Sequence, residues 1–230
     1  MMTLRMKVIK YVSEQRYATL EDLYSGSGSK GCRASFRVSL YQIGLSRFSF
    51  PGIPHGVWHI ANPKIFEEIQ LSFPQEPLYQ STQIHPNEVH HALGMNKIRC
   101  LMTDHAQVNI QAWWSEYRLR AMPVSMREFG YRNIPDAIFW RKLQDGNIQK
   151  CFIEYERSVK SQERYRNILK VYMARADVTG GSVLFICQSE HIKKELLKAR
   201  EGVFSKGIFN EQQEIFQFIE LERMLHAVEQ

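Results

Sequence analysis

The chain has 230 residues, of which 44% are hydrophobic and 23% are charged. Such a composition is typical of a folded protein with one large or two small domains. No run of about 18 apolar residues predicts a membrane helix, and the first ten residues lack the apolar stretch of a secretory signal. The four cysteines are scattered without metal-binding spacing, which favours reduced thiols in a cytoplasm. We therefore expect a cytoplasmic protein that does not contact a membrane.

Positive charge is concentrated at the beginning of the chain. Residues 1–60 contain eight Lys and Arg but only three Asp and Glu, which is +5 of the total net charge of +6. An excess of this kind favours a polyanionic partner, and double-stranded DNA is the one that we expect. The residues of this segment that are predicted to bind DNA are Lys30, Arg33, Arg37 and Arg47.

Three short helices and two strands are predicted for the first domain, residues 1–62. The apolar spacing predicts helices over 4–13, 20–24 and 33–43, followed by a two-stranded hairpin over 45–60. These are the elements of a winged helix-turn-helix domain, whose third helix enters the major groove. A domain that docks onto another protein is the alternative.

Two local features support these helices. Thr19 is predicted to cap the second helix, with Asp22 as the partner in a capping box. Arg33 and Arg37 lie one turn apart on the third helix, whose buried face is predicted to hold Phe36, Leu40 and Ile43.

A linker is predicted over residues 63–83, which contain three prolines and a short helix. The second domain, residues 84–230, is predicted to be a mixed β-sheet with helices on its faces, so that the whole chain is of the α/β (α+β) class. Its predicted elements are a helix over 87–102, a strand over 108–116, a hairpin over 135–156, a helix over 162–176, a strand over 183–187, a helix over 191–199 and a strand over 215–219 followed by a helix.

Acidic residues meet in the predicted hairpin. Its turn contains Asp145-Gly146, a strong hairpin signal, and this pairing brings Asp136 beside Glu154. Side chains alternate along a strand, so Glu154 and Glu156 point to the same face. Carboxylates that converge from neighbouring strands suit a hard cation such as Mg²⁺. A turn residue is the alternative for Asp136, and an ion-pair partner of Arg157 or Arg164 is the alternative for Glu154.

The order of these motifs resembles that of the PD-(D/E)xK nuclease superfamily. More narrowly, the chain is similar to plasmid replication-relaxation proteins and to the MOBC class of mobilisation relaxases, which join an amino-terminal winged helix to a restriction-endonuclease-like core. The resemblance spans most of residues 84–190. The motifs that carry it are Trp113-x-x-Glu116, Pro135-Asp136-Ala137, the acidic strand 152–157, the helix 164–172 and the apolar strand at Val183.

The resemblance implies a role for each acidic residue. Asp136 and Glu154 would be ligands of Mg²⁺ or Mn²⁺, and Glu116 would be either a third ligand or a residue that contacts the ligands. Glu156 stands where the superfamily usually has a lysine, so Lys160 is expected to supply the missing charge and Arg157 to complete the phosphate clamp. The implied catalytic residues are Asp136, Glu154, Lys160, Glu116 and Glu156, and the implied metal ligands are Asp136, Glu154 and Glu116.

The resemblance implies a metal-dependent DNA-nicking endonuclease, a relaxase-like enzyme of plasmid or mobile-element mobilisation or replication. Its substrate would be double-stranded DNA such as a plasmid origin of transfer, with an accessory relaxosome protein as a further partner. A non-catalytic DNA-binding regulator with a degenerate nuclease core is one alternative, because of Glu156. A restriction or defence nuclease that cuts both strands is another.

Overall fold

The structure is a computed structural model that describes residues 2–76, 78, 80–105, 109–122, 134–175, 181–205 and 214–226. The chain divides into two compact units, which are not contiguous in sequence. Unit 1 comprises Met1–Cys100 and Tyr117–Ser125, and unit 2 comprises Leu101–Glu116 and Met126–Gln230. The units therefore divide the chain differently from the predicted domains 1–62 and 84–230.

Unit 1 begins with the predicted order of three helices and two strands. The elements are α1 (Leu4–Gln15), α2 (Leu20–Gly26), α3 (Arg33–Ile43), β1 (Leu45–Phe50) and β2 (Ile53–Ile60). The strands pair antiparallel. The capping box at Thr19 and Asp22 is confirmed, since each side chain accepts a hydrogen bond from the other residue's backbone. The buried face of α3 is confirmed as well.

The predicted linker contributes to the core of unit 1. It contains α4 (Lys64–Ser72), whose residues Ile65, Phe66 and Ile69 are buried together with side chains of α1, α3 and β2. Residues 64–72 of the predicted linker are therefore a packed helix of unit 1 and not a connecting segment. The unit continues with α5 (Pro86–Cys100), followed by a π-helical turn over Leu101–His105 that belongs to unit 2.

The hairpin of unit 1 also packs against α5. Val57 on β2 belongs to a cluster with Val89 and Ala92 of that helix. The ring of Phe50 on β1 lies edge-to-face with His90, at 4.9 Å between centroids. One face of the hairpin is therefore covered, while Arg47 and the turn at Pro51-Gly52 remain exposed.

Unit 2 is built on a five-stranded sheet in the order β3-β4-β5-β6-β7. Strands β3, β4 and β5 pair antiparallel, whereas β6 runs parallel to both β5 and β7. The elements, which confirm the predicted mixed α/β architecture, are β3 (Asn109–Ser115), β4 (Ala137–Lys142), β5 (Ile148–Glu156), α7 (Gln162–Met173), β6 (Ser182–Cys187), α8 (Glu190–Phe204), β7 (Phe216–Glu220) and α9 (Leu221–His226).

Strand β6 is buried along its whole length, as its apolar sequence predicts. Helix α6 (Glu116–Ala121) was not expected, because its sequence continues a strand-like run. None of the helices in the described part of the chain has the length and apolar composition that a membrane crossing needs.

Candidate metal centre

The β4–β5 hairpin places Asp136 beside Glu154, as the sequence predicts. Ala137 pairs with Ile153, so Asp136 lies directly before β4 and opposite Glu154. The backbone N–H of Asp136 donates to the carbonyl of Ile153 at 3.1 Å. Its carboxylate oxygen Oδ2 accepts from the backbone N–H of Tyr155 at 2.7 Å. These two bonds hold the Asp136 side chain against β5.

Glu116, which directly follows β3, lies close to Asp136. Its backbone N–H donates to the carbonyl of Asp136 at 2.8 Å. Carboxylate oxygens of Glu116 and Asp136 lie within 4.8 Å of one another, and both residues are half-buried. Two oxygen donors at this separation are close enough to share one divalent cation, because hard cations bind oxygen at roughly 2.0–2.6 Å.

Glu154 is half-buried on β5. Burial raises the pKa of its carboxyl group well above the ordinary value, and the negative charge of Asp136 raises this pKa further. The hydroxyl of Tyr172 donates a hydrogen bond to Oε1 of Glu154, which opposes the rise. Burial also raises the pKa of Tyr172 itself, so its hydroxyl keeps the proton that it donates.

Glu156 is buried on the same strand and pairs with Lys160. Only 1% of its side chain is exposed, and Nζ of Lys160 lies 2.5 Å from its Oε1. Burial raises the pKa of the Glu156 carboxyl, while the charge of Lys160 opposes this rise. Lys160 therefore reaches back to the acidic strand, although it lies two residues before α7 begins.

The acidic residues form one electrostatic cluster. The charge of Asp136 raises the pKa of both Glu154 and Glu156, so the ionised forms of these two carboxyl groups are disfavoured by the same neighbour. Like charges in a desolvated site repel each other, and a divalent cation relieves both the repulsion and the desolvation. The carboxylate oxygens of Glu116 and Asp136 are donors of the kind that Mg²⁺ or Mn²⁺ prefers.

The part of the chain that contains these acidic residues matches a known protein family. Residues 74–181 match the family model described as Replication-relaxation. This segment is similar to the replication-relaxation family. The match covers the predicted site residues Glu116, Asp136, Glu154, Glu156 and Lys160. No curated protein matches the chain.

Two buried tyrosines within residues 74–181, Tyr165 and Tyr172, were not predicted as part of the site. The hydroxyl of Tyr172 donates to Glu154, and the hydroxyl of Tyr165 accepts from the backbone N–H of Lys160. Both lie on the buried face of α7, where apolar packing alone would account for their rings. The signal was the choice of tyrosine at two buried positions, since a buried hydroxyl requires a partner.

Of the residues predicted to bind DNA, only Arg157 lies within residues 74–181, the part that matches the family. Lys30 and Arg47 are exposed, and Arg37 is half-buried. Arg33 pairs with Glu21 at 2.8 Å, but both side chains are about 60% exposed, so the pair contributes little and leaves Arg33 accessible. Arg157 is exposed directly after β5.

Internal ion pairs compensate part of the early basic excess. Side chains of α4, α5 and the segment between them supply the acidic partners, in the pairs Arg5–Glu68, Lys10–Glu76 and Arg16–Glu88. Unit 1 nevertheless contains 13 basic and 7 acidic residues, a net charge of +6, whereas unit 2 contains 17 of each. The positive charge of the chain therefore belongs to unit 1.

Proposed function

We propose that the protein is a metal-dependent endonuclease that nicks double-stranded DNA, a relaxase-like enzyme of plasmid or mobile-element replication or mobilisation. The observation that carries the proposal is the set of acidic residues at the end of the β4–β5 hairpin: the carboxylate of Asp136 lies close to that of Glu116, and Asp136 stands opposite Glu154. The cation of Lys160 pairs with Glu156 on the same strand. The match to the replication-relaxation family supports the biological role.

The folds of the two units support the same proposal. Three helices followed by a hairpin in unit 1 agree with a winged helix-turn-helix domain that carries the positive charge. The antiparallel strands β3, β4 and β5, with β6 parallel to β5, agree with the sheet that a restriction-endonuclease-like core would have. In such a core the acidic residues stand at the end of the β4–β5 hairpin, as they do here.

Asp136, Glu154 and Glu116 would hold Mg²⁺ or Mn²⁺. When bound, such an ion stabilises the negative charge that develops on a phosphodiester during hydrolysis. Lys160 and Arg157 would neutralise the phosphate and orient it. Glu156 keeps the Lys160 ammonium at the site through their ion pair. In this proposal the charge of the usual lysine would come from Lys160, four positions later, and the ion pair with Glu156 supports that role.

Unit 1 would bind the duplex and so determine where the cut is made. Helix α3 would enter the major groove with Arg33 and Arg37, while Lys30 and Arg47 contact phosphates. An accessory relaxosome protein would act as a further partner. Specificity would then come from unit 1 and the chemistry from the carboxylates of unit 2.

A nicking assay tests the proposal. Supercoiled plasmid incubated with the protein and Mn²⁺ should give open circles. Asp136→Asn and Glu154→Gln should lower the nicking rate at least a hundredfold, while duplex binding stays within about twofold of wild type, because neither carboxylate holds the DNA. Glu163→Gln, an exposed glutamate on α7, is the matched control and should nick normally.

Other outcomes select other functions. Linear product would indicate a nuclease that cuts both strands. No cleavage with intact duplex binding would indicate a non-catalytic DNA-binding regulator, a function that the glutamate at position 156 favours. Normal nicking by both Asp136→Asn and Glu154→Gln would place the active site elsewhere.

A further inference from the structure

We infer that α7 is a positioning helix for the metal centre, with Tyr172 orienting the Glu154 carboxylate and Tyr165 holding the segment that carries Lys160. This inference rests on the proposed function, because it assigns a role in the same site to two further residues. Neither tyrosine is a proposed ligand. Both act through the residues to which they are hydrogen-bonded.

Tyr172 is fixed in the core of unit 2. Its side chain is 2% exposed, and its ring lies edge-to-face with Phe152 at 5.7 Å and with Phe185 at 6.4 Å. Because the packing leaves the ring little freedom, the hydroxyl has a fixed position, from which it donates to Oε1 of Glu154. A hydrogen bond of this kind sets the rotamer of a carboxylate and so prepares it to bind a cation.

Tyr165 acts on the other half of the site. It lies two turns before Tyr172 on the same buried face of α7. Its hydroxyl accepts from the backbone N–H of Lys160 at 3.1 Å and donates to the carbonyl of Ser158 at 3.3 Å. These bonds fix the backbone between β5 and α7, and hence the point from which the Lys160 side chain reaches Glu156.

The two hydroxyl groups are not explained by packing alone. Leu169, which lies between the tyrosines on the same face, is fully buried and purely apolar. Phenylalanine would fill the space at 165 and 172 without a polar atom that needs a partner in the core. The hydroxyls instead bond the two segments that bear the acidic cluster and its lysine.

Tyr172→Phe and Tyr165→Phe separate the two roles, because each removes one hydroxyl and keeps the ring. Calorimetric titration of the full chain with Mn²⁺ should show about a tenfold weaker affinity for Tyr172→Phe, since loss of a hydrogen bond to a ligand typically costs 10–100-fold. Tyr165→Phe should bind Mn²⁺ within twofold of wild type but nick DNA several-fold more slowly, with an unchanged KM for DNA.

The outcomes distinguish this inference from the proposed function. If Tyr172→Phe folds and binds Mn²⁺ as wild type does, the inference is wrong while nicking by wild type still supports the nuclease. If wild type binds Mn²⁺ and Tyr172→Phe binds it more weakly, but wild type does not nick, the positioning role stands and the nuclease is refuted. If wild type binds no Mn²⁺, both are refuted. If Tyr172→Phe does not fold, the Tyr165→Phe rate decides, and a wild-type rate overturns the inference.

Discussion

The ion pair of Glu156 and Lys160 is expected to stabilise unit 2. Glu156 is buried and Lys160 is 22% exposed, so the carboxylate depends on the lysine for its charge partner. Lys160→Met leaves that carboxylate without its hydrogen-bonded cation, and we expect a loss of roughly 1–3 kcal/mol in the free energy of unfolding, measured by urea denaturation.

A double variant is the control for this prediction. Glu156→Gln combined with Lys160→Met removes both charges, and a buried pair replaced on both sides is often nearly neutral in stability. The double variant should therefore be more stable than Lys160→Met alone. Equal instability of the two variants would mean that the uncompensated charge of Glu156 is not the cause of the loss.

Asp22 predicts a pH dependence in unit 1. Burial raises the pKa of its carboxyl above the ordinary value of 3.8, although hydrogen bonds from Thr19 oppose the rise. A group whose folded pKa is raised contributes stability that is fully present below the unfolded pKa and is lost as pH rises through the folded pKa. Asp22→Asn removes this loss. Compared with wild type, its Tm should therefore improve as the pH rises from 4 through the folded pKa of Asp22 and then keep a constant advantage; parallel curves over the whole range would contradict the assignment.

Among the helices and strands, the features predicted best from the sequence are those that depend only on neighbouring residues, such as helix ends and caps. The bounds of α3 were predicted correctly, and the helix ends at Gly44, whose φ of +93° suits a glycine. The capping box of α2 is equally local.

Helix α6 was missed because Trp113-Trp114-Ser115 favours a strand and no strong helix signal follows. The bond between Tyr172 and Glu154 was missed because it depends on how α7 packs onto β5.

The β1–β2 hairpin of unit 1 requires a glycine at position 56. Gly56 has φ +71°, and a Cβ there would lie 2.6 Å from the carbonyl oxygen of Phe48 on the paired strand. Gly56→Ala should therefore destabilise the fold by roughly 1–3 kcal/mol in thermal or urea unfolding, from backbone strain and from the clash together.

Gly52 provides the matched control. It has a similar φ of +75°, but no atom lies within 4 Å of the Cβ that alanine would add. Gly52→Ala should therefore show the cost of the conformation alone, roughly 1 kcal/mol. If the two variants are equally stable, the strands separate easily at Gly56 and the close approach of Phe48 is not a constraint.

At the scale of the whole molecule, the excess positive charge and the proposed metal site lie in different units. The sequence predicted the basic excess and the acidic hairpin, but not the unit boundaries, because the burial of Ile65, Phe66 and Ile69 depends on long-range packing. Nor did it reveal that Glu68, Glu76 and Glu88 compensate part of the early positive charge. What remains for a polyanion is the set of exposed or half-buried basic residues around α3 and β1.

The salt dependence of DNA binding tests this division. Each phosphate contact contributes about 0.9 to the slope of log K against log salt concentration, because it releases a counterion. Arg37→Ala combined with Arg47→Ala should lower this slope by about two, measured by fluorescence anisotropy on a duplex. The control is Lys170→Ala combined with Lys194→Ala, which removes two exposed cations of unit 2. Its slope should equal that of wild type, since neither lysine is among the residues proposed to contact DNA. The reverse result would move the DNA surface to unit 2, and specificity and cleavage would then share one unit.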